Sequence, residues 1–429
     1  MRIIRFVNIM FYGALMTHGA YADDLYGALA RVYRDNPVIS AARSAVRAAG
    51  ADVDRARTGY KPYLGISAGA DLARSEILGT TYDYVPTQIG AEFQQNIFQG
   101  FATVAQIKAA KAMLASQQAV LYSTEQDVFL DAINAYINVL NARTVLDLNK
   151  NNQRVLTEYY DYVSGRESVG MLTRTDVAQA AARLDGARYG VIDAQTKYDN
   201  ALETFRRIYG VTEDRYVDIS LRRVQNAFPD DIESAEIIAL QSHPALIALE
   251  SQAAAAKEDI TIARKTRLPA VDVRASLKQI DDLPIVDRVR DGRVGVYLSV
   301  PLYDRGASGA NLNRARFTVD GIGENIVNTR RVVVENLRSA WNIYESEKSA
   351  IDAAESAVRA NEMALDGIRD EQRQGRRTVL DVLNAEQELL NSRVALTRAR
   401  HGRVSAYFAV LAAMGRLNAD TLGLTQTEK

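Results

Sequence analysis

Proline ends or kinks a helix, because it lacks a backbone N–H and its ring clashes with the preceding turn. This chain of 429 residues has eight prolines, and none lies in 87–228 or 302–429. Both stretches are rich in Ala, Leu, Gln, Glu and Arg, which favour helix. The pattern predicts helices at about 101–162 and 173–209, then at about 306–373 and 378–415. At ~1.5 Å per residue the longest reaches roughly 100 Å. Helices of that length must pack side by side rather than wrap a globular core. The last one shows a seam stepping by threes and fours through Leu380, Leu383, Leu390, Val394, Val404, Phe408 and Leu411.

The prolines also pair. Pro37 and Pro244 stand 207 residues apart, as do Pro62 and Pro269. Further along, an offset of 205 maps Ala102 onto Ala307, Tyr136 onto Trp341, Gly170 onto Gly375, Asp176-Val177 onto Asp381-Val382, and Gly210 onto Gly415. One register held over so long a span predicts an internal duplication whose unit is half a molecule. The units expected are 23–210 and 233–415, joined by a connector at 211–232 and followed by a tail at 416–429.

Between the prolines lie four segments of strict alternation. Leu64, Ile66, Ala68 and Ala70 oppose Tyr63, Gly65, Ser67 and Gly69. Ile89, Ala91 and Phe93 oppose Gln88, Gly90 and Glu92. Val271, Val273, Ala275 and Leu277 oppose Asp272, Arg274, Ser276 and Lys278, and Val294, Val296, Leu298 and Val300 oppose Arg293, Gly295, Tyr297 and Ser299. A period of two means strands. Their length suits a tilted strand crossing a bilayer, apolar face to lipid and polar face to a wet lumen. A soluble sheet with one wet face has the same pattern. Four strands cannot close a barrel, and an open edge in lipid leaves backbone groups unpaired. A barrel must therefore be shared, with eight strands from two copies or twelve from three.

The N-terminus supports export. Arg2 and Arg5, an apolar run from Phe6 to Met16, and Ala20-Tyr21-Ala22 read as a signal peptide over 1–22. The absence of cysteine excludes a disulfide framework, a thiolate metal site and a lipid-bearing N-terminal Cys. A net charge of −1 gives no basic surplus for nucleic acid. An enzyme reading lacks residues: His18 goes with the signal peptide, and His243 and His401 form no metal-ligand spacing. No phosphate loop or nucleophile elbow is present, so no cofactor is expected. A periplasmic coiled-coil adaptor is the other rival, but it leaves four amphipathic strands unexplained.

The helix breaks carry the most specific residues. The first reads Val169-Gly170-Met171-Leu172-Thr173-Arg174-Thr175-Asp176-Val177, and the second Gly375-Arg376-Arg377-Thr378-Val379-Leu380-Asp381-Val382-Leu383. With Asn36-Pro37 and Val300-Pro301-Leu302-Tyr303-Asp304, they resemble the TolC family of outer-membrane export proteins. The resemblance implies a mixed α+β membrane protein and a homotrimer. Three chains would share a twelve-strand barrel in the outer membrane, continued by a helical coiled-coil barrel across the periplasm. Segments near 211–236 and the tail would form a belt, and loops near 74–86 and 279–291 would face outside. It also implies a gate: Asp381, and Asn384 where the best-known members carry a second aspartate, would line the pore constriction. Arg377 with Thr175 and Asp176 would latch the tip, with Gln372 replacing a tyrosine of the family's latch. Gly170, Gly375, Arg373 and Arg376 would form tip turns and an adaptor contact. The implied partners are a periplasmic adaptor, an inner-membrane pump of RND or ABC type, and outer-membrane lipid. The implied cargo is small toxic molecules, type I secreted proteins, or both.

Overall fold

The structure, a computed structural model, describes residues 25–210, 219–221, 224–265 and 267–424. The expected signal peptide and part of the expected connector and tail lie outside them. Each half runs through two short helices, a strand pair and two long helices. The first half holds α1 (Leu25–Asp35), α2 (Pro37–Arg57), β1 (Tyr63–Ala70), β2 (Ala73–Ile77), β3 (Thr80–Tyr84), β4 (Thr87–Gln99), α3 (Ala102–Ser168) and α4 (Arg174–Tyr209). The second holds α5 (Ile232–Ser242), α6 (Pro244–Lys265), β5 (Ala270–Asp281), β6 (Arg288–Ser299), α7 (Ala307–Arg373) and α8 (Val379–Ala413). Both α3 and α7 have 67 residues, close to 100 Å of helix at ~1.5 Å per residue.

The short helices are punctuated alike. Asn36 precedes Pro37, and its side chain accepts from Val38 N at 2.8 Å. His243 precedes Pro244 and accepts from Ala245 N through Nδ1 at 3.3 Å. Proline suits the first helical position because its missing N–H would have no intrahelical partner there. Burial holds the His243 pKa below its ordinary value, which keeps the ring neutral and able to accept.

The main sheet is antiparallel in the order β1-β4-β5-β6, so β4 and β5 join the two halves. Among the described residues its edges, β1 and β6, are unpaired. The register stacks the apolar residues in rows: Leu64, Phe93, Ala275 and Val294 form one, and Ile66, Ala91, Leu277 and Gly292 the next. This face is bare, with Ile66 and Val294 each 82% exposed. The opposite face carries rows such as Gly65, Glu92, Ser276 and Arg293.

Two strand details differ from the sequence expectation. The loop expected near 74–86 is a hairpin, β2–β3, turning through Leu78 and Gly79 at φ of 52° and 80°. Two successive positive φ values match the hairpin turn whose twist follows that of the strands. The second loop is only 282–287, because β5 and β6 extend to Asp281 and from Arg288. The helix expected to end at 162 runs to Ser168, since no glycine with positive φ stops it before Gly170.

The largest core lies at mid-height, where α1, α3, α4 and α8 converge. Leu25, Leu29, Phe129, Tyr136, Phe205 and Phe408 are buried there, with Leu417 and Leu422 of the C-terminal segment. Tyr407 stacks on Phe228 at 4.3 Å between ring centroids, and its hydroxyl donates to Val224 O at 3.0 Å. Above this level, α2 and α6 flank α3; below it, α4 and α8 pair with α3 and α7 as two hairpins.

The seam of α8 is divided. The row Val382, Leu389, Ser392, Ala399 and Ala406 is buried, and Val382 and Leu389 pack with Leu365 of α7. Leu383 belongs instead to a cluster with Leu156, Val163 and Leu184 of the other hairpin, while Leu380 is exposed. A helix in a barrel wall has neighbours on both sides, so it carries two stripes. The sequence pattern identified the one facing the other hairpin.

Candidate functional site

The candidate site is the pair of hairpin ends farthest from the sheet. At the first, Gly170 adopts φ 75°, Gly170 N donates to Glu167 O at 2.8 Å, and Met171 N to Arg166 O at 2.9 Å. At the second, Gly375 adopts φ 76°, Gly375 N donates to Gln372 O at 2.9 Å, and Arg376 N to Glu371 O at 2.9 Å. These are Schellman ends, in which a left-handed residue turns two N–H groups back to satisfy orphan carbonyls.

Three residues later each new helix opens with a capping box. Asp176 N donates to Thr173 Oγ1 at 3.2 Å, and Thr173 N to Asp176 Oδ2 at 2.9 Å. Thr378 and Asp381 repeat these bonds at the same distances. The shared Gly-x5-Asp-Val spacing is thus a helix stop followed by a helix start.

Asp381 therefore has a structural duty. Its Oδ2 accepts from both the N–H and the hydroxyl of Thr378, at 2.9 and 2.8 Å. These bonds, helped by Arg377, hold its pKa below the ordinary aspartate value. Oδ1 takes no hydrogen bond among the described residues, so one oxygen caps the helix while the other stays available. Asn384, one turn on, accepts from Arg183 Nη2 of α4 at 2.8 Å, a link between the two hairpins. Sequence reading missed Arg183, since nothing in α4 alone indicates which residue of α8 it meets.

The expected latch residues are not joined within the chain. Arg377 Nε donates to Glu371 Oε2 at 2.8 Å inside its own hairpin, and Asp176 is bonded to Thr173. Thr175 lies in the first turn of α4 and is exposed. Arg373 pairs with Asp370 at 2.9 Å, and Arg376 is exposed beside Gly375.

Two further features were not anticipated. The first is a ladder of ion pairs between α7 and α8: Glu355 with Arg400 at 2.9 Å, Glu362 with Arg393 at 2.7 Å, and Arg369 with Glu386. Its rungs are seven residues apart on both helices, equidistant from the turn, as two turns of a coiled coil demand. That spacing is visible in the sequence once the turn is known. The second is a cleft of about 490 Å³ between the hairpins, lined by Tyr159, Tyr162, Arg166, Arg369, Arg373 and Glu386. The Tyr159 hydroxyl is buried there with no hydrogen-bond partner among the described residues, and burial, then Tyr162 and Asp176, push its pKa up to about 12.

A model of outer membrane efflux proteins matches residues 29–211 and 238–416. The chain belongs to the outer membrane efflux protein family. Its relatives in that family include the outer membrane efflux protein BepC of Brucella suis, 30% identical over 427 residues, covering 97% of this chain and 91% of that one. The outer membrane protein TolC of Escherichia coli is 26% identical over 418 residues, covering 94% and 84%. Among solved structures, the CmeC outer membrane channel of Campylobacter jejuni matches with a TM-score of 0.80 at 17% identity, covering 92% of this chain and 86% of that one. As a member of this efflux family the chain is an outer-membrane channel that extends into the periplasm.

Proposed function

We propose that three copies of this chain close a passive exit duct, and that the helical tips are its gate. The observation that carries this reading is the open four-stranded sheet, apolar on one face and continued by helices of 67 residues. Its unpaired edges need partners in lipid, and identical neighbours supply them in register. The duct does no chemistry of its own. An inner-membrane pump of RND or ABC type provides the energy, and a periplasmic adaptor docks at the tip, where Gly170 and Gly375 turn the chain and Arg373 and Arg376 offer positive charge.

In this reading the free oxygen of Asp381 faces the constriction and attracts cations, as a ring of carboxylates at a neck does. Asn384 contributes no charge, and Arg183 occupies its oxygen. The latch forms between chains: Arg377 exchanges Glu371 for Thr175 and Asp176 of a neighbour. Cargo comprises small toxic molecules and type I secreted proteins. The Thr173–Gln179 run, which resembles the secretion branch, supports the second class.

Ethidium accumulation in a strain lacking the gene, with and without complementation, tests the efflux part. Accumulation that rises and is restored supports it; unchanged accumulation leaves dedicated type I secretion. For the gate, Asp381→Ala is expected to abolish cation preference in planar bilayers. Unchanged reversal potentials would remove Asp381 from the pore.

A further inference from the structure

The apolar face of the sheet does not end evenly. Above the row of Ile66, Ala91, Leu277 and Gly292 comes a row of Ala68, Ile89, Gln279 and Arg290, then one of Ala70, Thr87, Asp281 and Arg288. Two arginines thus stand on the lipid-facing side, at one end of β6. That end is the one with the turns, opposite the helices, so in this outer-membrane channel it lies in the outer leaflet. From Leu298 to Arg290 the strand rises eight residues, roughly 27 Å, or about 20 Å of depth at a ~40° tilt. The apolar stretch continues below through Val300 and Leu302, so Arg290 sits at the upper boundary of a band about 25 Å tall.

The two arginines are not equivalent. Arg288 is ion-paired to Asp281 across the strand pair. Arg290 is exposed, and its Nε donates to the neutral amide oxygen of Gln279 at 3.1 Å. Among the described residues it forms no ion pair, although Asp281, one row above, lies near enough to feel its charge. Directly below it lies a shallow trough of about 430 Å³, bordered by Ile66, Ile89, Ala91, Leu277 and Gly292, with Arg290 on its rim. The trough exists because Gly292 has no side chain. A Cβ there would stand 3.2 Å from the Leu277 side chain.

We propose that this trough and Arg290 form a site for a phosphorylated glycolipid of the outer leaflet. An acyl chain lies along the trough, and the guanidinium takes the phosphate at the headgroup boundary. The two halves of the site match the two halves of such a lipid in polarity and order. A guanidinium donates two parallel N–H groups, a geometry suited to phosphate oxygens. Because the site is repeated in every copy, it would pin each chain to the leaflet at one depth.

The test is native mass spectrometry of the full-length protein in detergent micelles with added bisphosphorylated lipid A. Three comparisons are made: dephosphorylated lipid A, inorganic phosphate as competitor, and the variants R290Q and R290K. Wild type is expected to hold the phosphorylated lipid about tenfold more tightly than R290Q, the factor expected for one charge-assisted hydrogen bond. R290K should retain most of the binding. Dephosphorylated lipid A should bind wild type no better than it binds R290Q, and millimolar phosphate should displace nothing. Equal binding of phosphorylated lipid by wild type and R290Q overturns the proposal. So does equal binding of both lipids by wild type, a comparison that needs no variant to fold. Displacement by inorganic phosphate would mean a free-anion site and also overturns it.

Discussion

The two helical hairpins turn by the same chemistry and are zipped by different forces. Below mid-height, α3 and α4 are closed by apolar residues, Leu156 and Val163 on one side and Ala180, Leu184 and Ala187 on the other, against which Val379 and Leu383 of α8 also pack. The only ion pair crossing between them among the described residues is Arg174 with Glu167, at 3.9 Å beside the turn. Between α7 and α8 a smaller apolar group, Leu365, Val382 and Leu389, is supplemented by three ion-pair rungs. The turns diverge in the same sense. Leu172 and Val177, at the two positions of a hydrophobic staple around the first cap, both pack against the apolar cluster. The counterpart of Leu172 in the second is Arg377, tied to Glu371. Apolar closure is hard to open in water, because it exposes surface with no compensating partner. The two rungs farther from the tip, Glu362 with Arg393 and Glu355 with Arg400, are part-exposed and open at little cost, because water replaces each partner, whereas Glu386 of the third rung is mostly buried. Away from the turn, the hairpin that carries Asp381 is therefore the softer of the two, as the gate proposed above requires.

Four measurements would break or sharpen this contrast. The largest effect is expected from Leu184→Ala, which leaves a cavity in the dry seam and removes roughly 2–4 kcal/mol from the first hairpin. Hydrogen exchange should accelerate in α3 and α4 near the tip. If α7 and α8 accelerate equally, the hairpins open as one unit and the contrast fails.

Next in size are Gly170→Ala and Gly375→Ala. Nothing lies within 4 Å of the added methyl at either site, so the cost is the left-handed backbone alone, about 1–2 kcal/mol. Equal losses at both tips are expected, because the turns are the same. Unequal losses in thermal unfolding would show that the seams reach into the turns.

Acid should loosen the second tip. The folded-state pKa of Asp381 is depressed, so its contribution to stability is present above the unfolded value. It is lost as pH falls through the lower folded value, below about pH 4. Exchange at 375–385 should rise in that window for wild type and be flat for Asp381→Asn, which lacks the titrating group. A wild type that stays flat would remove the carboxylate from the cap.

The smallest effect belongs to Glu362→Gln, which breaks the middle rung at a cost of roughly 0.2–1 kcal/mol. In 1 M salt, where the screening length is ~3 Å, the difference from wild type should vanish. Persistence of the difference would mean that the rung acts through packing.

The glycines at the tips and the alternating strands were legible early because each is a local pattern within about ten residues; the Thr-Asp capping boxes are as local, but their aspartates were read in the sequence only as pore and latch residues. The β2–β3 hairpin was not, since its turn is Leu78-Gly79 rather than a common turn pair and its strands are short and mixed. Arg183 and Glu386 were missed for a different reason. Each is one of many charged residues on a long helix, and only the alignment of two helices selects it.

By itself the sequence determined the elements, because helix length, helix stops and strand faces depend on each residue and its near neighbours. It also implied that a membrane barrel made from these strands is shared between chains, since four amphipathic strands leave two edges open. The tertiary structure decided which stripe of α8 faces which neighbour, which charges form rungs, and that Asp381 caps a helix with one oxygen only. Those outcomes depend on the rotation and axial shift of one long helix against another. That register is set by the summed packing of dozens of side chains, and no local stretch of the chain encodes it.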